Sequence, residues 1–205
     1  VKTIAELEAK ISNVPNIING ETYTLTEEVN AGKEFTGTAK NDLFLATNAE
    51  TQFSIADTLD GGKGIDRLKL IDNDATAGYE LAIPVAASIK NIEIIDIIGN
   101  SSVTADTSDT TAFAGVTHLY TTSTGDNTST AAATTNINAT ATGADITVNG
   151  GKDVTVVSKN NVVDTITVGG TTAAAGKVSV TSTGGTTTGD TAGAIKVTGG
   201  TTVTV

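Results

Sequence analysis

The residues best suited to chemistry are the glycines and aspartates between Phe35 and Leu70. Gly61-Gly62-Lys63-Gly64-Ile65-Asp66-Arg67-Leu68-Lys69 fits the nonapeptide pattern G-G-x-G-x-D-x-U-x, with Leu68 as the large apolar residue. Glycine lets a turn aim its carbonyls at a cation without a Cβ in the way, and the aspartate adds a charged oxygen. Such donors suit Ca²⁺, which takes about six to eight oxygens. One turn offers fewer, so a second turn has to stack on it. Gly37-Thr38-Ala39-Lys40-Asn41-Asp42 is a degenerate candidate for that partner, with a leading glycine and a closing Asn-Asp, and Asp57 and Asp60 lie beside the better turn. The expected ligand set is Gly37, Thr38, Asp42, Asp57, Asp60, Gly62, Gly64 and Asp66, with Ca²⁺ as the bound ion. The plain alternative is a glycine-rich hairpin with a solvated Asp66.

Short strands must position these turns. Leu43-Phe44-Leu45 follows the first and Arg67-Leu68-Lys69-Leu70 the second, each alternating like a strand with one buried face. Thr22 to Leu25 alternates in the same way, and Ile89 to Gly99 reads as one more hydrophobic strand. A single short helix is expected near the start, where Ile4, Leu7 and Ile11 share a face and Thr3 with Glu6 matches a capping box. Beyond about Phe113 the composition shifts to Thr, Ala, Gly and Val. Strands are expected there at Ile146-Thr147-Val148, Val154-Thr155-Val156, Ile166-Thr167-Val168, Val178-Ser179-Val180, Ile195-Lys196-Val197 and Val203-Thr204-Val205. The stretch 146–156 returns as a near copy at 195–205, with a Gly-Gly pair between two strands each time. Recurrence of one strand–turn–strand unit is the mark of a solenoid, whose rungs bury their apolar faces only against neighbours. Low-complexity disorder is the alternative, and regular Ile/Val alternation opposes it.

The expected fold is therefore all-β, a calcium-binding parallel β-solenoid or β-roll-like stack with a short N-terminal helix. Three segments divide it: a helix and linker over 1–20, a calcium-binding segment over 21–112 and a Thr/Gly-rich array over 113–205. Composition agrees, since 38% of the 205 residues are apolar and only 3% aromatic. A chain without large rings needs thin layers of β-branched side chains. The absence of Cys excludes disulfides and thiolate chemistry. A net charge of −11 argues against nucleic acid or an anionic membrane as partner. No apolar run is long enough to span a bilayer as a helix. The first residues lack the apolar core of a signal peptide; with Val1 at its start and a repeat at its end, the chain reads as a piece of a longer exported protein.

Other polar residues point less clearly to chemistry. His118, the one histidine, alternates within a strand and reads as a surface or packed residue rather than a base. Glu93 and Asp96 should face opposite sides of a strand, whereas Asp72 and Asp74 share a side and read as an edge or a further cation ligand. Asp106, Asp109 and Asp126 read as turn caps. Asn100, Asn127 and Asn138 begin Asn-x-Ser/Thr triplets that matter only in a eukaryotic secretory context. No nucleophilic triad stands out, and the scarcity of aromatics disfavours a sugar-binding cleft, so the chain reads as a non-enzyme.

The order Phe35-Thr36-Gly37-Thr38 with Asn41-Asp42, then Asp57 through Leu68, then Ile89-Lys90-Asn91-Ile92-Glu93, resembles RTX-type S-layer proteins of Gram-negative bacteria. Gly115-Val116-Thr117-His118-Leu119 and the Gly-Gly/Val-Thr-Val array resemble the body of such proteins. The resemblance implies a calcium-binding solenoid secreted to the bacterial cell surface by a type I route and self-assembling there into a two-dimensional lattice. Lipopolysaccharide of the outer membrane would be contacted through regions outside this piece. An adhesin or toxin-like stalk shares the composition, and a polysaccharide-modifying β-helix enzyme is the more distant alternative.

Overall fold

A computed structural model describes residues 18–72, 80–83, 87–161, 163–184 and 193–205. The helix expected over 3–11 lies outside them, as does Asp74. The described residues form three sheets in which every strand pair is parallel.

The first sheet has nine strands. They are β1 (Thr22–Thr24), β2 (Leu43–Ala46), β4 (Arg67–Asp72), β7 (Ile94–Gly99) and β10 (His118–Ser123), then β12 (Asn136–Thr142), β14 (Val154–Asn161), β16 (Lys177–Gly184) and β18 (Thr202–Thr204). A second sheet of six holds β5 (Glu80–Ala82), β8 (Ser102–Thr107), β11 (Asn127–Ala131), β13 (Ile146–Gly150), β15 (Ile166–Val168) and β17 (Ile195–Val197). The third sheet is short: β3 (Thr58–Asp60), β6 (Ser88–Lys90) and β9 (Phe113–Ala114). From β4 to β9 the chain visits first, second and third sheet in turn, twice over. After β9 it alternates between the first two, so the repeat loses one side at Phe113–Ala114. The first and second sheets run across this point without a break.

The rungs follow the alternation of small β-branched residues. In β4 every second residue, Leu68, Leu70 and Asp72, is buried, and Arg67, Lys69 and Ile71 are half-buried on the other face. One inward column runs in register from β2 to β18 of the first sheet: Phe44, Leu68, Ile95, Leu119, Ile137, Val154, Val178 and Val203. The first seven are buried, and Val203 on the last strand is 47% exposed. Leu68 thus takes the inward place its pattern demanded. The near copies at 146–156 and 195–205 lie two rungs apart in shared columns, since Ile146 pairs Ile166 and Ile166 pairs Ile195.

The interior is not uniformly apolar. Asn127 occupies an inward place between Val103 and Ile146. Its Oδ1 accepts from Thr121 Oγ1 at 3.0 Å and Ser129 Oγ at 2.9 Å, and its Nδ2 donates to the Thr140 carbonyl at 3.1 Å. All three hydroxyl and amide side chains are buried, so this closed network is what makes a polar rung tolerable.

Two details depart from the sequence reading. The run Ile89 to Gly99 is split between β6 and β7 by Asn91, whose φ of 52° turns a corner; asparagine is one of few side chains that tolerate this left-handed region. Ala49–Gln52 forms a single helical turn, α1, followed by an extended Phe53. Its Gln52 Oε1 accepts the N–H groups of Thr47 and Asn48 at 2.8 Å each, closing a turn that hydrophobic periodicity over four residues could not signal.

Candidate cation corner at Asp42, Asp66 and Glu93

One corner of the stack gathers carboxylates immediately before three neighbouring strands of the first sheet. Asp42 precedes β2, Asp66 precedes β4 and Glu93 precedes β7. Each carboxylate reaches back to the rung before it. Asp42 Oδ1 accepts from Glu21 N at 2.6 Å, Asp66 Oδ1 from Asp42 N at 2.7 Å, and Glu93 Oε2 from Asp66 N at 2.8 Å. The spacings of these pairs, 21, 24 and 27 residues, are the lengths of the successive rungs. Asparagines run in the opposite sense: Asn19 Oδ1 accepts Asn41 N and Asn41 Oδ1 accepts Ile65 N. Every corner N–H named here thus has an oxygen from a neighbouring rung, as buried backbone requires.

The two glycine turns stack, as a shared ion would need. Gly37 N donates to the Asp60 carbonyl at 2.7 Å and Lys63 N to the Thr38 carbonyl at 3.0 Å. Close approach explains the glycines. A Cβ on Gly37 would collide with the Gly61 carbonyl, and one on Gly61 would collide with the Asn91 carbonyl and sit 2.6 Å from Asp66 Oδ2. Gly62 and Gly64 have φ of 84° and 131°, which favour glycine, and lie against the Thr38 and Lys40 carbonyls. Thr38 closes the first turn by donating N–H at 2.6 Å and Oγ1 at 2.9 Å to Asp42 Oδ2. Asp60 Oδ1 accepts Gly62 N at 3.0 Å and Asn91 Nδ2 at 2.8 Å.

Seven of the eight residues expected as ligands lie on or beside these two stacked turns: Gly37, Thr38, Asp42, Asp60, Gly62, Gly64 and Asp66. Asp57 does not. It lies at the other end of three-residue β3, buried, with Oδ1 accepting Asn30 N at 2.8 Å and Oδ2 accepting Ser54 N at 2.7 Å. Glu93 is the corner residue that the glycine motif does not contain. Its signal in the sequence is position, an acid one residue before a strand, although it follows Asp66 by 27 residues where Asp66 follows Asp42 by 24.

Asp66 is the electrostatic centre. It is wholly buried, and its Oδ2 has no hydrogen-bond partner. Burial, and then the negative charges of Glu93, Asp42 and Asp60, push its pKa up to about 7 against the pull of the Asp42 N–H. Arg67, next in the chain, lies on the outer face of β4 and pairs with Asp96 at 2.8 Å. The same corner raises the pKa of Tyr23, through burial first and then the charges of Asp42, Glu21 and Asp66. An orphaned, desolvated carboxylate oxygen among like charges is donor chemistry that fits a hard cation. Among the described residues no three His, Cys, Asp or Glu side chains converge closely enough to hold a metal alone, so an ion here needs turn carbonyls and water as well.

The other singled-out residues have local roles. Asp106 Oδ1 accepts Ser108 N at 2.9 Å, and Asp109 Oδ1 accepts Thr111 N at 2.8 Å and Ala112 N at 3.3 Å, which lowers the Asp109 pKa. Asp126 Oδ1 accepts Asp145 N at 3.1 Å and Asp145 Oδ1 accepts Thr165 N at 2.6 Å, a second ladder on the second sheet. Losing such a cap costs about 1 kcal/mol. Asp145→Ala should lower stability by that amount in urea melts, and Asp145→Asn, which keeps the acceptor, by much less. The ring nitrogens of His118 face Thr117 Oγ1 at 3.0 Å and Asn136 Nδ2 at 3.1 Å, neither of them a carboxylate that could orient a base. Burial and then Lys152 lower its pKa. Comparison with protein-family models and with curated proteins finds no match for this chain.

Proposed function

We propose that this chain is a structural piece of a secreted bacterial surface layer, a calcium-binding parallel β-solenoid that packs with copies of itself and turns over no substrate. The observation that carries the reading is the buried Asp66 with its orphaned Oδ2, set between two stacked glycine turns. A carboxylate kept in that state disfavours the fold when ionised unless a positive charge joins it. Asp66, Asp42 and Asp60, with carbonyls of the 37–42 and 60–64 turns, are the oxygens that would hold Ca²⁺. Bound there, the ion would neutralise charges that otherwise push neighbouring rungs apart, linking metal binding to folding.

The rest of the molecule supports a scaffold rather than a catalyst. Its regular rungs repeat one packing solution, and the polar residues described above serve as caps or closed networks. Stacked parallel strands also leave strand edges at the ends of each sheet, to which other chains can add. In the calcium-poor cytosol the corner would stay loose, and in a calcium-rich exterior it would tighten.

The test is thermal melting of the 205-residue chain, followed by circular dichroism, in millimolar calcium and in excess chelator. The expected result is a higher melting temperature with calcium, and ordered sheets by electron microscopy of the calcium-loaded protein. Coincident melts would remove the calcium part of the reading, and dispersed rods at high concentration would favour a stalk over a lattice.

A further inference from the structure

The nonapeptide motif ends at Lys69, but the corner does not. Glu93 occupies, one rung further on, the place that Asp66 holds before β4 and Asp42 before β2. Its main chain joins three rungs. The N–H groups of Glu93 and Ile94 donate to the Asp66 carbonyl at 3.2 and 3.0 Å, while the Glu93 carbonyl accepts Thr117 N at 2.9 Å and His118 N at 3.0 Å. Its side chain then returns to Asp66, with Oε2 accepting Asp66 N at 2.8 Å. Both polar groups of the Asp66 backbone are therefore held by this one stretch.

That arrangement bears on the side chain that matters. Asp66 spends Oδ1 on Asp42 N at 2.7 Å and keeps Oδ2 buried and unpartnered beside Gly61. A buried carboxylate in such a place gains by swinging toward water. Gly61 and Asn91 close the corner on the third-sheet side, and a shift of the Asp66 backbone would carry the carboxylate out on the other. Holding the Asp66 N–H blocks that shift. The ladder then stops, since the residue before the next strand, β10, is the neutral Thr117, whose Oγ1 donates back to the Glu93 carbonyl at 3.2 Å. Glu93 is thus the last carboxylate of this unbroken run, and it holds the Asp66 N–H.

We propose that the cation corner spans three rungs rather than two, with Glu93 as the positioning residue that keeps Asp66 Oδ2 turned into the corner. The proposal rests on the calcium reading for its consequence and not for its geometry, and the two are tested separately. Amide hydrogen exchange in chelator reads the geometry. Glu93→Ala should speed exchange of the Asp66 N–H by about tenfold or more, the value of one lost hydrogen bond, and Glu93→Gln, whose amide oxygen still accepts, should restore protection. The calcium concentration at half-maximal stabilisation reads the consequence. It should rise about tenfold in Glu93→Ala and stay within about threefold of the parent in Glu93→Gln. A merely structural glutamate would lower melting temperature without moving that midpoint. Unchanged Asp66 exchange in Glu93→Ala, or a Gln variant as impaired as the Ala variant, overturns the positioning role. A parent protein with no calcium response, but with the expected exchange pattern, overturns the calcium reading and leaves Glu93 as the lock on Asp66.

Discussion

Asp66→Asn should raise the melting temperature of the calcium-free protein at pH 8 and abolish its response to calcium. The first effect follows from the cost of ionising a wholly buried carboxylate. Asp66 has its pKa pushed up to about 7 from an ordinary 3.8, so the folded chain holds a proton there that the unfolded chain has released. Stability from this group is complete below the unfolded value, declines as pH rises toward 7, and is lost above it. Each tenfold change in proton affinity is worth about 1.4 kcal/mol, so the whole window spans up to about 4 kcal/mol. In chelator the parent protein should therefore lose stability between pH 4 and pH 7 through this group, and Asp66→Asn should flatten that slope.

Asparagine keeps an oxygen for the Asp42 N–H but places an unpartnered amide where Oδ2 was, at a cost of about 1–3 kcal/mol. The net gain at pH 8 is expected to be about 1–2 kcal/mol, with a small loss at pH 5, where the parent is already neutral. Calcium acts with the opposite sign, because its ligand must be ionised and binding releases the proton. Its stabilising effect on the parent should grow from pH 5.5 to pH 8. Urea melts at both pH values, with calcium and with chelator, check all of this. A parent and an Asp66→Asn variant with parallel pH profiles would show that Asp66 titrates as an ordinary surface carboxylate.

Gly61→Ala should be among the most damaging additions of a single methyl group at this corner. The added Cβ would collide with the Asn91 carbonyl of the next rung, and backbone held by hydrogen bonds on both sides cannot yield as a side chain would. Gly61 N donates to the Lys90 carbonyl at 2.9 Å, and Gly37 N to the Asp60 carbonyl at 2.7 Å, so separating the rungs strains both. A loss of about 3 kcal/mol, the upper end for overpacking, is expected. Gly32→Ala makes the control. Gly32 has a φ of 78° but nothing within 4 Å of a new Cβ, so only the left-handed backbone penalty of about 1–2 kcal/mol applies. Comparable losses in the two variants would mean that the third-sheet corner is looser than its hydrogen bonds require. If calcium sits at this corner, Gly61→Ala should also weaken its stabilising effect, because Asp66 Oδ2 lies 2.6 Å from the new atom.

Many of the strands were legible because their cause is local, whereas β3, β5, β8, β9, β11 and β12 were not expected from the sequence. Alternation of Val, Ile and Thr against polar residues fixes which face of a strand turns inward, and each of the six short strands expected from residue 146 on is present, with β14 running five residues and β16 four residues past the expected end. Gly61 to Lys69 likewise announced a turn followed by a strand with Leu68 inward. Near identity of 146–156 and 195–205 pointed to a repeat, and parallel stacking in common columns is what that repeat became.

What the sequence could not assign was which rung meets which, because register depends on the lengths of irregular corners. Rungs of 21, 24 and 27 residues bring Asp42, Asp66 and Glu93 into one ladder, although no constant period links them. The same register separates Asp57 from the corner, although it stands only three residues from Asp60. Nor does composition forecast the loss of the third sheet after Phe113–Ala114, or an asparagine inside the stack at Asn127. Local side-chain pattern therefore determined the strands and their inward faces, which depend on neighbours in the chain. Tertiary stacking decided the charge of the corner, because neighbouring rungs bury Asp66 and supply two of its three negative neighbours, Asp42 and Glu93.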